Sequence, residues 1–271
     1  YPLPIVLGHE GAGIVEAVGR DVLGVKLGQS VICSWNPSCG HCFYCDRDQP
    51  ILCEVYTATQ PQGHLMDGTS RLTVGGEKLH HFSQVSSHAE YCVVPQSGVV
   101  AVPDEMPLDR ACLIGCGVMT GVGAAWYVAR VERGEHVLVV GCGAVGLNAV
   151  QGARLAGADT VIAVDVDDEK LALARTFGAS HTLNSSRDDV SAAVRELSAG
   201  RGADCVLECA GSEAALQTSL EAARPGARVV ILGKTNFDTQ VSLRFGSLMG
   251  EKRIVRSSYG GARPRRDFPL L

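Results

Sequence analysis

The sequence predicts a two-part α/β protein, a β-rich barrel-like half followed by a doubly wound parallel sheet. Three observations point there. Up to about Cys116 the chain consists of short β-like runs separated by Gly, Pro and Asn, the pattern of a barrel or sandwich with inserted loops. Beyond it, apolar strands alternate with helices of about ten residues, which implies βαβ units and a parallel sheet. A glycine-rich turn joins the first strand of that series to its first helix.

Taken in order, the β-like runs of the first half are Gly13–Val18, Ser30–Ser34, Arg71–Val74, Ala89–Val94 and Val99–Val102. The segment from Thr57 to Ser87 has little periodicity and is expected to form an irregular excursion with a hairpin. In the second half His136–Val140 is a buried strand and Val145–Ala156 a helix, followed by strand Thr160–Val166 and helix Glu169–Phe177. Strand His181–Asn184, helix Asp188–Ala199, strand Asp204–Cys209, helix Glu213–Ala223 and strand Arg228–Leu232 complete the alternation. The expected division is residues 1–117, 118–260 and a short return segment, 261–271. There is no internal repeat and no low-complexity tract.

Composition narrows the function classes. The 271 residues are 46% hydrophobic and 20% charged, with 32 glycines, as suits an α/β protein with many tight turns. A net charge of −5 argues against a nucleic-acid partner. No apolar run reaches the roughly 20 residues a membrane span needs. Eleven cysteines without an export signal suggest thiols and metal ligands in a reducing cytoplasm. The chain starts at Tyr1 in an apparent strand approach and stops at Leu271 as an apolar segment begins, so it is expected to be an internal fragment of a longer protein.

Cys39, Cys42, Cys45 and Cys53 read C-x2-C-x2-C-x7-C. Four thiolates this close suit tetrahedral zinc in a closed, structural site. Binding free energy there would count as folding free energy, about 10–16 kcal/mol for small zinc modules. Two disulfides and an iron–sulfur cluster are the alternatives; the spacing and the lack of any secretion signal favour zinc.

Strand His136–Val140 runs into Gly141-Cys142-Gly143-Ala144-Val145-Gly146, a G-x-G-x-x-G that opens a helix. In that strand–turn–helix context it reads as a dinucleotide site: Gly141 for the tight turn, Gly143 for close approach of a pyrophosphate, and Gly146 for helix–strand packing. The helix N-terminus offers free N–H groups to the phosphates. Asp165 ends the next strand, where an acid accepts hydrogen bonds from the adenosine ribose and repels a ribose phosphate. NAD is therefore expected over NADP. The competing role for Asp165 is to cap the following helix. Lys170 either touches the ribose edge or is a solvated surface lysine.

His9 in Gly8-His9-Glu10-Gly11-Ala12-Gly13 and Cys116 in Gly115–Gly121 are ordinary singly. Together with the cysteine loop and the dinucleotide turn, the chain resembles the zinc-dependent, medium-chain alcohol dehydrogenases. The resemblance rests on GHEGAG at 8–13, the cysteines at 39–53, DGTSR at 67–71, HHF at 80–82, GCGVMTG at 115–121, GCGAVG at 141–146 and Asp165, in family order over nearly the whole chain. It implies a GroES-like β-barrel catalytic domain with a Rossmann cofactor domain. It implies that His9 and Cys116 bind a catalytic zinc, that Glu10 lies just behind the metal, and that the four clustered cysteines hold a structural zinc. The family's third catalytic ligand and its proton relay belong to a segment upstream of GHE that this sequence does not contain. Cys33, Cys92 and Cys112 are read as buried apolar residues.

By the same resemblance Thr120 and Val145 line the nicotinamide pocket, Trp35, Leu52 and Phe82 wall the substrate cleft or simply pack, and Lys234 falls near the cofactor. The implied activity is hydride transfer between an alcohol and NAD, by a homodimer or homotetramer joined through cofactor-domain edge strands near Val241–Ser258. A hydroxymethylglutathione dehydrogenase is a subtype of this reading. A zinc-free quinone or enoyl reductase of the same build needs neither the cysteine loop nor the His9/Cys116 pair. A zinc-ribbon module binding nucleic acid or protein is disfavoured by the acidic charge.

Overall fold

A computed structural model describes residues 1–271 and divides them into two compact units. One comprises Tyr1–Met119 with Ala262–Leu271, the other Thr120–Gly261.

In the first unit, β1 (Ile5–Val6) pairs in parallel with β6 (His80–His81), while β2 (Ala12–Ile14), β3 (Ser30–Cys33) and β7 (Val99–Ala101) form an antiparallel sheet in the order β2-β3-β7. The central strand β3 is buried along its whole length, with Ile32 wholly enclosed. β4 (Thr73–Val74) and β5 (Glu77–Lys78) make the hairpin expected in the irregular excursion. The cysteine loop ends in helix α1 (Glu54–Thr59), and α2 (Leu108–Ala111) precedes the segment that carries Cys116.

Two expectations fail here. Ala89–Val94 is not a strand; Tyr91 and Val93 are exposed, and no neighbouring strand offers this segment a ladder. Alternation marks a residue run that could pair, but a strand needs its partner. The run at Gly13–Val18 shortens to Ala12–Ile14, with Val15 adding two more backbone bonds to Gln29 and Gly28 before the chain turns away.

The second unit is a six-stranded, all-parallel sheet in the order β10-β9-β8-β11-β12-β13. Its strands are β8 (His136–Val140), β9 (Thr160–Asp165), β10 (His181–Asn184), β11 (Ala203–Glu208), β12 (Ala223–Ile231) and β13 (Arg253–Arg256). In sequence terms this is 3-2-1-4-5-6, the doubly wound dinucleotide-binding order, in which the order of strand addition reverses between β8 and β11 while all strands stay parallel. Pleating explains the sequence: Val137 and Val139 of β8 enter one core cluster, Leu138 and Val140 the other. A strand covered on both faces is apolar wherever it is buried, hence the continuous run VLVV at Val137–Val140.

Helices α3 (Gly117–Gly123), α4 (Ala144–Leu155), α5 (Asp168–Thr176), α6 (Val190–Leu197) and α7 (Glu213–Ala222) accompany the strands, and α8 (Pro264–Asp267) lies near the end of the chain. Side-chain caps fix three starts: Asp167 accepts from Glu169 N–H and Lys170 N–H, Asp189 from Ala192 N–H, and Ser212 from Ala215 N–H. The cap at Asp189 explains why α6 begins later than the apolar pattern alone suggests. α3, which continues into a π-helical turn at Ala124–Val128, and the edge strand β13 were not anticipated. β13 reads Arg-Ile-Val-Arg, too short and too charged to stand out as a strand.

Candidate functional site

In the first unit His9 and Cys116, distant in sequence, meet. His9 Nε2 lies 3.2 Å from Cys116 Sγ. Both are half-buried. The loop carrying His9 needs a glycine at position 8, where φ is +95° and a Cβ would sit 2.5 Å from the backbone nitrogen of His88. Glu10 ties that loop to the second one: its Oε1 accepts the N–H of Gly117 at 3.0 Å, immediately after Cys116 and at the start of α3. The ring of Phe82 stands edge-on to the His9 imidazole, 5.6 Å between centroids. A cavity of about 380 Å³ opens beside them, lined by Leu7, Gly8, His9, Glu10, Phe82, Ser87, His88 and Cys112.

The donor pair fits a zinc ion. Tetrahedral bonds of about 2.0 Å to nitrogen and 2.3 Å to sulfur put two ligand atoms roughly 3.5 Å apart, close to the observed separation. Among groups of three or more potential metal ligands the structure gathers only the four clustered cysteines, so a third side-chain ligand does not accompany His9 and Cys116.

The cysteine loop itself closes into a cluster in which all four sulfur atoms lie within 4.8 Å of one another. Cys39 Sγ and Cys45 Sγ are 3.9 Å apart, and Cys39 N–H points at Cys53 Sγ at 3.3 Å. A disulfide requires about 2.05 Å, whereas the edge of a tetrahedron with 2.3 Å zinc–sulfur bonds is about 3.8 Å. The thiol of Cys42 is lowered to about 6 by the backbone N–H groups of Glu54 and Cys45, so it is ready to ligate as thiolate. Burial pushes Cys45 up to about 12, the reverse. A cation at the centre would remove that conflict by stabilising all four anions.

Two expectations about the other cysteines need correction. Cys33 is buried, its thiol pushed up to about 12 by desolvation. Cys92, however, is exposed, and Cys112 is half-buried on the wall of the His9 cavity. Of the three residues expected around a substrate cleft, Phe82 lines that cavity, while Trp35 packs towards Tyr56 and Leu52 is exposed; neither joins the lining. Ser87 and His88 were missed. Their only sequence signal is the HHF motif a few residues upstream, which gives no hint that the chain doubles back over Gly8.

In the second unit β8 delivers Gly141 to the C-terminal edge of the sheet beside the strand-order reversal. Gly146 faces the carbonyl oxygen of Gly141 so closely that a Cβ would lie 1.8 Å from it, and any side chain would force α4 off the strand. Gly143, the residue before α4, is exposed with open space where a Cβ would project, leaving the helix N-terminus accessible to phosphate. Gly121 of α3, the residue after Thr120, packs on the backbone of Val145 and Ala149 in the first turns of α4.

Asp165 does not cap α5; Asp167 does. Instead the Asp165 carboxylate crosses to the glycine turn, its Oδ2 accepting Cys142 N–H at 2.7 Å and its Oδ1 accepting Val166 N–H at 2.8 Å and Asp167 N–H at 3.1 Å. Lys170 is exposed. Nearby, Asp168 is clamped by both terminal nitrogens of Arg187, at 2.9 and 2.7 Å, which neutralises the one guanidinium bonded at this end of the edge.

A glycine turn on a sheet of this order, with an acid at the end of the second strand, is the build of a dinucleotide-binding domain, and the cysteine cluster and the His9–Cys116 pair offer donor sets that suit zinc. Comparison with known proteins agrees. Residues 1–104 match the alcohol dehydrogenase GroES-like domain and residues 144–271 the zinc-binding dehydrogenase domain. An S-(hydroxymethyl)glutathione dehydrogenase from Saccharomyces cerevisiae is 40% identical over 98% of this chain and 70% of its own length. A class-3 alcohol dehydrogenase from Myxine glutinosa is 41% identical over 99% of this chain and 72% of its own. Among solved structures, an alcohol dehydrogenase zinc-binding domain protein from Burkholderia ambifaria superposes with a TM-score of 0.94 at 38% identity, covering 100% of this chain and 73% of that one. A benzyl alcohol dehydrogenase from Acinetobacter calcoaceticus gives 0.90 at 30% identity, again covering 100% and 73%. The chain belongs to the zinc-dependent, medium-chain alcohol dehydrogenase family, oxidoreductases that move hydride between an alcohol and NAD.

Proposed function

We propose that His9 and Cys116 are the catalytic-zinc ligands this chain contributes, and that Cys39, Cys42, Cys45 and Cys53 hold a second, structural zinc. The 3.2 Å approach of His9 Nε2 to Cys116 Sγ is the observation that carries this reading. The catalytic ion supplies Lewis acidity towards an alcohol oxygen, and the coenzyme accepts the hydride. The chain's own residues position them. Glu10, through Gly117 N–H, fixes the spacing of the two ligand loops, and Phe82 sets the tilt of the His9 ring. Gly141, Gly143, Val145 and Gly146 cradle the coenzyme with Thr120 beside them, Asp165 receives the adenosine ribose, and Lys170 lies at its outer edge.

The cavity beside His9 supports an alcohol with an apolar body. Leu7 and Phe82 supply apolar wall, His88 and Ser87 a polar rim, and no Lys or Arg lines it. Trp35 and Leu52 extend the apolar wall only when substrate reaches past this cavity. A second reading, oxidation of S-(hydroxymethyl)glutathione, is favoured by the names of relatives at about 40% identity. That substrate carries carboxylates and calls for a cationic residue, which the lining does not provide. The deciding experiment is a turnover screen of the complete protein with NAD, comparing aliphatic and aryl primary alcohols with S-(hydroxymethyl)glutathione; a marked preference for the glutathione adduct refutes the apolar-alcohol reading. Elemental analysis of the complete protein should find two zinc ions per chain, and one or none refutes the two-site assignment.

The setting follows from the same features. Eleven free cysteines suit a reducing cytoplasm, and a net charge of −5 does not suit nucleic acid. No single helix is long and apolar enough to cross a membrane. β13 bonds only to β12, and Ile254 and Val255 on it are exposed, so this edge supports a homodimer, or a homotetramer built from such dimers, joined near Val241–Ser258.

A further inference from the structure

Two oppositely charged residues stand on the C-terminal edge of the parallel sheet, on either side of its centre. Asp165 closes β9 on one side, and Lys234 follows β12 on the other. Strands β9, β8, β11 and β12 are neighbours in that order, and their C-terminal loops touch in the same order. A Cβ on Gly141 would lie 2.8 Å from Ala210 N, and one on Gly211 2.5 Å from Lys234 O. With its ribose at Asp165 and its pyrophosphate on the N-terminus of α4, a dinucleotide has one direction left to run, over β11 and β12. Its nicotinamide half then lies on the ground between Ala210 and Lys234.

Two of the charges around that ground cancel. Glu208 is buried, its Oε1 accepting Ala210 N–H at 2.9 Å and Gly211 N–H at 2.7 Å, and it faces the Arg256 guanidinium. Arg256 in turn donates to the carbonyl oxygens of Ile231 and Ser257. Lys234 is exposed and makes no hydrogen bond or ion pair within the chain, so its charge is the uncompensated one. Such a cation is out of place beside a ring that is itself a cation in only one of its two redox states.

We propose that Lys234 selects the redox state of the coenzyme: its ammonium opposes the pyridinium cation of NAD+ and leaves the neutral dihydropyridine of NADH unopposed. The chain thereby holds NADH more tightly, relative to NAD+, than it would with a neutral residue at this position, so NADH fills a larger share of the sites in a mixed coenzyme pool. The proposal rests on the coenzyme reading above. Like charges within about a Debye length of each other near a protein surface shift affinity by roughly three- to tenfold, and salt screens the effect.

The test measures dissociation constants of NAD+, NADH and ADP-ribose for the complete protein and its Lys234→Gln and Lys234→Arg variants, at low and high salt. ADP-ribose has the pyrophosphate but no ring. Lys234→Gln is expected to tighten NAD+ roughly three- to tenfold, leave NADH and ADP-ribose unchanged, and lose this difference in high salt, while Lys234→Arg keeps the wild-type ratio. Equal weakening of all three ligands would mean that Lys234 meets phosphate instead, and an unchanged NAD+/NADH ratio would mean that it meets only solvent; either overturns the proposal. A wild-type protein that binds none of the three removes the coenzyme reading itself, and the proposal with it.

Discussion

Replacing Asp165 with alanine should expose two roles of one carboxylate. Without coenzyme, the side chain accepts three backbone N–H groups. Val166 is exposed, so water can replace the acceptor there, but Cys142 is only 1% exposed and its N–H is left with no partner. Losing one charge-assisted hydrogen bond and stranding a buried donor costs about 2–3 kcal/mol. At about 4 °C per kcal/mol for a domain of this size, the cofactor unit should melt roughly 8–12 °C lower. With coenzyme, the missing ribose acceptor should weaken NAD by roughly 10- to 100-fold, the equivalent of a lost hydrogen bond to a charged group. NADP should suffer less, because repulsion of its ribose phosphate disappears with the charge, so discrimination against NADP falls by at least about tenfold. Thermal unfolding of apoprotein and fluorescence titration with both coenzymes measure the two effects separately. A variant that melts at the wild-type temperature and keeps the wild-type preference for NAD refutes both roles.

Cys45→Ser should lower thermal stability and solubility more than it alters turnover per folded molecule, and chelator should bring wild type down to the variant; identical melting of both proteins with and without chelator rules out a structural metal. His9→Ala in the complete protein should abolish turnover while NAD binding stays within about twofold, and turnover close to wild type would show the ligand assignment to be wrong. His81 is buried, and desolvation pushes its imidazole down to about 4, so the folded state keeps it neutral with Nε2 accepting Arg71 N–H at 3.2 Å. The unfolded chain takes up that proton near 6.5, so stability is flat above about pH 6.5 and is lost as pH falls towards 4. Asp67, held at about 2 by Arg71 and Thr69, loses its contribution only below about 3.8, so the two windows separate. His81→Gln should flatten the stability profile between pH 6.5 and 4 in urea titrations; an unchanged slope there removes His81 as its source.

The cofactor unit was legible because its signals are local. Each strand buried on both faces writes itself as an apolar run, and the glycine turn, its strand and its helix are contiguous. The exception, β13, is an edge strand whose flanking arginines belong to solvent on one side. The first unit was less legible because its contacts join distant segments. β1 pairs with β6 and His9 with Cys116 across most of the unit, and only motif resemblance, not periodicity, brought the last pair together. Ala89–Val94 shows the cost of reading alternation without a partner, and Cys112 shows the same for burial: its neighbours in sequence are apolar, yet its side chain borders the His9 cavity. Ser87 and His88 could not have been placed there without knowing that Gly8 leaves them room.

With the coenzyme placed as proposed, the charges along this edge would make two independent selections rather than one general affinity. A uniformly positive edge would bind any dinucleotide through its phosphates and would not tell NAD from NADP or oxidised from reduced. Here the proposed phosphate-binding element, the α4 N-terminus behind Gly143, has no acidic or basic residue in its first turn, and the two fixed charges would stand where the coenzymes differ. On the reading proposed above, Asp165 would face the extra anion of NADP and Lys234 the extra cation of NAD+. Each charge repels the disfavoured ligand, so neutralising either should strengthen that ligand, while at Asp165 the loss of the ribose acceptor weakens NAD as well. The double variant Asp165→Asn/Lys234→Gln is therefore expected to show additive free-energy changes in the two selectivity ratios, because the sites lie several strands apart and share no partner. Strong coupling between them would mean that both residues act through a common rearrangement of the Gly141–Ala210 contact, and the two-selection account would have to be abandoned.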